Sequence, residues 1–366
     1  MKNLFANATA IALFLSAGAT AVQAHEISYS SHLPPSVTAN SQGIIPFFEA
    51  VAEEATSPVE IKYFWAGSLF NAAGNFEAVR DGTVDAAFTQ PQSNQADMRV
   101  NAMFADLIHY GGNPYATAAA YTQTLLLDCP RCAEDYSRNG VRFMGAHSAT
   151  PAALICNSAV TSIDDLRGRR LIGQPGYSRW AQALGATQLD VPPPQQMEAI
   201  QRGQGDCTFA AREWLTSFSL QDIAHTIVDV PVGAQFAISL MTFNEGSWNA
   251  LPQDIRDAMI RNMPLAIARV IDASVKREEA AMETAVSSGV VVTDLGGTYG
   301  TAFAEFMEGQ RARVLGDAER RGIDNAEEVI DTFVANVAHW NALIAEHGTE
   351  NFAQLLWDEI YSQLDY

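Results

Sequence analysis

The 366-residue chain is poor in positive charge, and lysine in particular is almost absent. Only three of its 22 basic residues are lysines, whereas 42 residues are acidic, so the formal net charge is −20. A negative charge of this size argues against nucleic acid or an anionic membrane surface as a partner. We interpret the acidity as a contribution to solubility and not, by itself, as evidence for a cationic ligand.

The sequence also lacks the short motifs that mark common enzyme classes. It contains no Gly-x-Ser-x-Gly elbow, no phosphate-binding loop, no His-Glu-x-x-His motif and no dinucleotide-binding fingerprint. Its seven histidines are scattered, and the two that follow predicted strands, His32 and His147, are interpreted as hydrogen-bonding residues. Catalysis needs a positioned acid, base, nucleophile or metal, so we expect a binding protein without a cofactor or metal.

Only the start of the chain carries a long apolar run. Residues 1–24 combine Lys2, an uncharged apolar stretch at residues 8–21, and small residues just before position 25. This pattern is typical of a secretory signal peptide, so we predict that the mature chain starts at His25 in the periplasm. The stretch is shorter than the roughly 20 residues of a membrane span, and no later segment is long and apolar enough to be one.

The four cysteines are an even number in a chain predicted to be exported, which favours disulfide bonds. Cys129 and Cys132 could form a local disulfide, a redox pair, half of a metal site or free thiols, and we favour the disulfide. Cys156 and Cys207 each lie in a predicted strand, and a disulfide between them is a weaker prediction.

The part of the chain that follows the predicted signal peptide is too long for one hydrophobic core, so we predict two lobes. Predicted strands and helices alternate in both, which indicates an α/β fold with parallel strands. We place lobe I at residues 25–150 and lobe II at residues 151–243. Residues 244–366 would hold a helix at 251–286, a return strand to lobe I and C-terminal helices. That helix, here called the spine helix, would be roughly 50 Å long and span both lobes.

Six short segments carry motifs whose order and spacing resemble one family of bacterial receptors. The most informative motif runs from Ser162 to Leu171 and matches the pattern Ser-x-x-Asp-Leu-x-Gly-x-x-Ile/Leu. The matching segments are residues 67–69, 76–86, 162–171, 183–186, 198–206 and 244–252. With them, the chain resembles, over nearly its whole mature length, the extracytoplasmic receptors of TRAP transporters, the tripartite ATP-independent periplasmic carriers.

The resemblance implies a two-lobed periplasmic-binding-protein-like fold and a function in transport. A receptor of this kind closes on a small polar organic solute and passes it to integral membrane carrier subunits without converting it. We expect it to act as a monomer. Two alternatives stay open: a receptor for an ATP-driven importer or a sensor kinase, and a secreted enzyme.

Ligand contacts are expected beyond the carboxyl ends of strands, where open α/β sheets bind their ligands. The candidate contacts in lobe I are His32, Trp65 and Gln90. Those in lobe II are Gln174, Gly176, Tyr177, Arg179 and Trp214.

One departure from the family pattern bears on the ligand. Members of the family typically hold a ligand carboxylate with an arginine where this chain has Ile172, and some carry another arginine at a position close to Ala152 here. A bidentate arginine–carboxylate pair is strong, so its loss is significant. Three explanations stay open: Arg170 or Arg179 takes over, the motif is displaced by one or two residues, or the ligand is not an acid. In that last case an amine, alcohol or zwitterion would be held by aromatic and acidic groups.

Overall fold

The computed structural model describes residues 24–364, so the predicted signal peptide lies outside the described residues except for Ala24. Two β-sheets and many helices form a mixed α/β structure, which confirms the predicted fold class. Throughout residues 24–364, every helix is too short or too polar to cross a bilayer.

The first sheet forms the core of lobe I. Its strands are β1 (His25–Ser30), β2 (Val59–Phe64), β3 (Ala86–Thr89), β4 (Val141–His147) and β10 (Ile238–Asn244). They are ordered β2-β1-β3-β10-β4, with β1 parallel to β2 and β3, and β10 antiparallel to β3 and β4. The carboxyl ends of β1, β3 and β4 therefore lie at one edge of this sheet.

The second sheet forms the core of lobe II. Its strands are β5 (Ala152–Cys156), β6 (Arg170–Ile172), β7 (Thr187–Leu189), β8 (Cys207–Ala211), β9 (Thr226–Val228) and β11 (Val291–Thr293). Their order is β11-β9-β5-β8-β6-β7. The strand after the spine helix, which we expected to return to lobe I, is β11, and it pairs with β9 in lobe II. The strand that rejoins the first sheet is β10, within the range assigned to lobe II.

Helices surround both sheets. The helices that precede β8 in the chain are α1 (Ile45–Glu54), α2 (Ala72–Arg80), α3 (Arg99–Met103), α4 (Pro114–Gln123), α5 (Pro130–Ser137), α6 (Ser178–Ala183) and α7 (Gln196–Gln201). The later ones are α8 (Trp214–Ser217), α9 (Glu245–Ala250), α10 (Gln253–Ser287), α11 (Thr298–Glu308), α12 (Gln310–Arg320), α13 (Ala326–His347) and α14 (Phe352–Glu359). Short 3-10 segments lie between them, including Phe104–Tyr110 and Pro175–Tyr177.

The spine helix is α10, a helix of 35 residues that begins directly after Pro252. Proline just before the first turn and Asp254 within that turn are typical of a helix start. The N-terminal half of α10, including Ile267, is buried in the core of lobe I. Near its C-terminus, Ala281 and Ala285 pack in a hydrophobic cluster of lobe II. The prediction that one long helix spans both lobes is therefore confirmed.

The two lobes are joined by short crossing segments at residues 148–151 and 229–237 as well as by the spine helix. They also contact each other directly, because the segment Phe104–Tyr110 of lobe I lies against Pro175–Tyr177 of lobe II. At that contact a Cβ atom on Gly176 would collide with the backbone oxygen of Ala105. Glycine is therefore the residue that permits this close approach.

The four cysteines form two disulfides. Cys129 and Cys132 are bonded at the N-terminus of α5. Cys156 and Cys207 are directly opposite each other in the antiparallel pair of β5 and β8, and they are bonded across it. Both predicted pairings are therefore present, and none of the cysteines in residues 24–364 is a free thiol.

Candidate functional site

A cavity of about 550 Å³ of empty volume, including its opening to solvent, lies between the lobes. Lobe I contributes His32, Leu33, Val37, Thr38, Ala39, Phe88, Gln90 and His147 to its lining, and lobe II contributes Pro193, Glu213, Trp214 and Phe218. The crossing segments, β10 and the spine helix complete it with Ala149, Gln235, Ile238, Val270 and Ser274. We call the space that these residues line the interlobe cavity.

The ends of strands position the polar side chains of this cavity. His32 follows β1, Gln90 follows β3, and His147 is the last residue of β4. In lobe II, Glu213 and Trp214 follow β8 within three residues. The cavity thus lies at the carboxyl edges of both sheets, where open α/β sheets bind ligands.

Glu213 is the one acidic residue among the described residues that line the cavity, which include neither lysine nor arginine. It is only 7% exposed. Its carboxylate accepts hydrogen bonds from the hydroxyls of Thr38 (3.0 Å) and Ser274 (3.3 Å). Burial is the main cause that raises the pKa of Glu213, although these hydrogen bonds and the nearby charge of Arg277 oppose it.

The histidines of the cavity are neutral at pH 7. Burial lowers the pKa of His32 to about 4, and it lowers the pKa of His147 to about 4 as well. His32 Nδ1 and Gln235 Nε2 are buried and have no hydrogen-bond partner within residues 24–364. Buried polar atoms normally have partners, so these two are available to a ligand's polar groups.

Aromatic rings form much of the remaining lining. Phe88 contacts the rings of His32 (centroids 5.5 Å apart) and His147 (6.0 Å). Trp214 packs edge to face against Phe218, with centroids 5.3 Å apart. The cavity therefore combines apolar faces, neutral polar groups and a single carboxyl group.

Of the eight predicted ligand contacts, the structure brings His32, Gln90 and Trp214 together in the interlobe cavity. Gln174 and Gly176 line a smaller space of about 280 Å³, which also borders Gln235 and thus adjoins the interlobe cavity. The strands and loops chosen from the sequence are therefore largely those at the cleft.

The structure places Trp65 and Tyr177 away from the cavity lining. Trp65 stacks on Tyr63 at a centroid distance of 4.8 Å, because it follows β2, an edge strand one position further from the cavity than β1. The Tyr177 ring is buried and stacks on Phe209 at 4.8 Å, so it is part of the core of lobe II.

The two arginines considered as replacements for the family arginine, Arg170 and Arg179, are both engaged in ion pairs elsewhere. Arg170 lies at the start of β6 and pairs with Asp206 at 2.8 Å. Arg179 pairs with Asp317 of α12. Ile172 is fully buried in an apolar cluster with α7, facing away from the cavity lining.

Sequence reasoning missed Glu213 and Gln235. Glu213 stands beside the predicted contact Trp214, in the position directly after Arg212 at the end of β8, so strand-end reasoning could have found it. Gln235 lies in a crossing segment, and Ser274 lies on the spine helix. These two come to the cavity only through the packing of the lobes, which no local pattern signals.

The family of the chain follows from its match to a family model. The model for DctP, bacterial extracellular solute-binding protein family 7, matches residues 30–313. The chain belongs to this family. The predicted relationship to the extracytoplasmic receptors of TRAP transporters is thereby confirmed. Comparison with curated protein sequences gives no match.

Solved structures of TRAP solute-binding proteins share the fold of the chain. A marine metagenome TRAP solute-binding protein from an unidentified microbe, specific for aromatic acids and bound to metahydroxyphenylacetate, has 20% identity and a TM-score of 0.76; the match covers 86% of this chain and 99% of that one. A TRAP receptor of Bordetella bronchiseptica with bound (R)- and (S)-mandelate has 24% identity and a TM-score of 0.71, with the same coverage. The receptor DctP6 of Bordetella pertussis, which binds pyroglutamic acid, has 14% identity and a TM-score of 0.70, covering 84% and 99%.

Proposed function

We propose that this family 7 receptor binds a small organic solute in the interlobe cavity and delivers it to the membrane subunits of a TRAP-type carrier. The observation that carries the proposal is the cavity itself, which both lobes line at the carboxyl edges of their sheets. Binding would draw the lobes together by bending the crossing segments and the spine helix. The receptor would act as a monomer in the periplasm after cleavage of residues 1–24.

The ligand would be held without the usual arginine. In place of a cation, the cavity offers the neutral polar groups of His32, Gln90 and Gln235 and the ring of Trp214. Similar structures bind aromatic acids, and the aromatic lining here suits a ligand with an apolar body. A carboxylate ligand needs a cation, but the described lining residues include the acidic Glu213 and neither lysine nor arginine. We therefore propose a ligand of a different polar class.

Binding measurements on the mature chain test the location of the site. A thermal-shift panel of organic acids, amines, zwitterions and alcohols identifies ligands, because binding to the folded state raises the melting temperature. We expect Gln90→Ala to weaken the best ligand about tenfold by loss of a hydrogen bond, measured by calorimetry. Gln201→Ala, an exposed glutamine on α7, is the matched control and should bind like the wild type.

Each outcome of this experiment decides a different point. Equal affinity of Gln90→Ala and Gln201→Ala would remove the interlobe cavity as the site. A panel without any stabilising solute would contradict a solute receptor. Genes for an ATPase subunit beside this one, in place of TRAP carrier subunits, would favour the ATP-driven importer, and conversion of the solute by the purified protein would establish an enzyme.

A further inference from the structure

We infer that Glu213 is the charged anchor of the interlobe cavity and that the ligand carries an ammonium group. This inference rests on the proposed function, because it assumes that the solute enters the interlobe cavity. It adds the charge and chemical class of that solute, and these differ from the organic acids that the family usually binds.

The first argument concerns the net charge of the cavity. Glu213 is the one acidic residue among the described lining residues, which include neither lysine nor arginine, and His32 and His147 stay neutral at pH 7. A carboxylate ligand would thus be buried beside the carboxyl group of Glu213 without a cation among the lining residues. Burying an unpaired charge is costly, and a like charge in a site of low dielectric increases that cost. An ammonium ligand would instead pair its charge with the carboxylate of Glu213, so it would be neither unpaired nor next to a like charge.

The second argument concerns the partners of Glu213. Its two oxygens receive one hydrogen bond each, from Thr38 and Ser274, whereas a carboxylate has about four acceptor positions. Among the described residues, Glu213 forms no ion pair within 4 Å, and Arg277, whose charge acts on it, donates to Thr38 (2.9 Å). Acceptor capacity therefore remains for the three donors of an ammonium group.

The third argument is the contrast with the preceding residue. Arg212 is 8% exposed, but its guanidinium is paired with both Asp229 and Glu278. It therefore does not neutralise Glu213, although it is adjacent in the chain. Glu213 lines the cavity and is hydrogen-bonded only to two hydroxyls, whereas Arg212 is held by two carboxylates.

The aromatic and neutral groups complete the complementarity. Trp214 follows Glu213 directly and lines the same cavity, so an ammonium bound to the carboxylate could also contact its ring. The amide nitrogen of Gln235, which is buried without a partner within residues 24–364, can donate to a hydroxyl or carboxylate elsewhere on the ligand. Amines and zwitterions both satisfy this arrangement, and the ammonium group is the feature that they share.

Matched ligands and variants test the assignment. Benzylamine, phenylglycine and benzoate share a ring and differ in charge; together with aliphatic amines, quaternary ammonium compounds, amino acids and carboxylates they form the panel for thermal shift and calorimetry. We expect stabilisation by ammonium-bearing compounds only. Glu213→Gln should reduce their affinity about 100-fold, as loss of a buried charge pair does. Asp222→Asn removes one exposed carboxylate from the same lobe and should leave affinity unchanged.

The outcomes separate this inference from the proposed function. If carboxylates without an amino group bind, and Glu213→Gln binds them as well as or better than the wild type, the anchor assignment is wrong while the receptor function stands. If nothing in the panel binds, the receptor function fails first. Should Glu213→Gln not fold, Glu213→Asp keeps the charge, and it should retain the preference for ammonium over carboxylate.

Discussion

Two neighbouring regions at the end of β8 differ in how their buried charged residues are paired. In the paired cluster, formed by Arg212, Asp229 and Glu278, one arginine contacts two carboxylates and joins lobe II to the spine helix. In the interlobe cavity, Glu213 has only two hydroxyl partners. The difference indicates that the paired cluster maintains the structure, whereas the cavity carboxylate is free for a ligand. A buried charge that is left unpaired for function is expected to lower the stability of the fold. Removal of one partner from a buried ion pair is expected to destabilise the fold, because the other partner is left unpaired.

The largest effect is expected from breaking the paired cluster. Arg212→Gln leaves Asp229 and Glu278 without their cation in a largely buried place, so the free energy of unfolding should fall by about 3 kcal/mol. Urea denaturation at pH 7 measures this. Arg170→Gln is the control, because the pair of Arg170 with Asp206 is solvent-exposed and its loss should lower the free energy of unfolding much less. Equal losses in the two variants would contradict a special role for the paired cluster.

The next effect is the response of the cavity to acid. The pKa values of His32 and His147 are lowered by burial from 6.5 to about 4, so the folded state resists their protonation. The stability they confer is complete above pH 6.5 and is lost as the pH falls towards 4, by up to about 3 kcal/mol for each histidine. Glu213 faces the same cavity, and its raised pKa acts in the opposite direction.

Denaturation curves between pH 7.5 and 4.5 test this response. His32→Gln and His147→Gln should each flatten the loss of stability below pH 6.5. Gln201→Ala replaces an exposed, non-titratable side chain of α7 and should leave the shape of the curve unchanged. If the cavity variants follow the wild-type curve, the two rings are not held neutral by burial.

The comparison also shows which features were predictable. The spine helix could be predicted from Pro252, an acidic residue in the first turn and a long uninterrupted pattern of helix-forming residues. All of these are local features of the sequence. Likewise, His32, Gln90 and Trp214 follow strands, and strand ends converge at one edge of a parallel sheet. Features that depend on local pattern and sheet geometry were therefore within reach of the sequence.

Other features depend on partners that are distant in the chain. The sequence predicts Arg179 as a ligand contact, but in the fold it pairs with Asp317, which lies 138 positions later in the chain. Tyr177 is held in the core by Phe209, and Ser274 reaches Glu213 only because the spine helix crosses both lobes. Which charges are neutralised inside the protein, and which are left for a ligand, is decided by such long-range packing.

The smallest effect, and the one that discriminates best, is expected from Glu213→Gln in the absence of ligand. The amide is nearly isosteric and its oxygen can accept from Thr38 or Ser274, while the cost of burying an unpaired charge disappears. The free energy of unfolding at pH 7 should therefore stay within about 1 kcal/mol of the wild type or rise. Because burial raises the pKa of Glu213, protonation of the wild type removes the same cost, and the difference should shrink as the pH falls. A loss of more than about 2 kcal/mol, approaching that of Arg212→Gln, would mean that Glu213 has a structural role like the paired cluster. A carboxylate that the unliganded fold does not need, but that the bound state does, is the property expected of a ligand anchor.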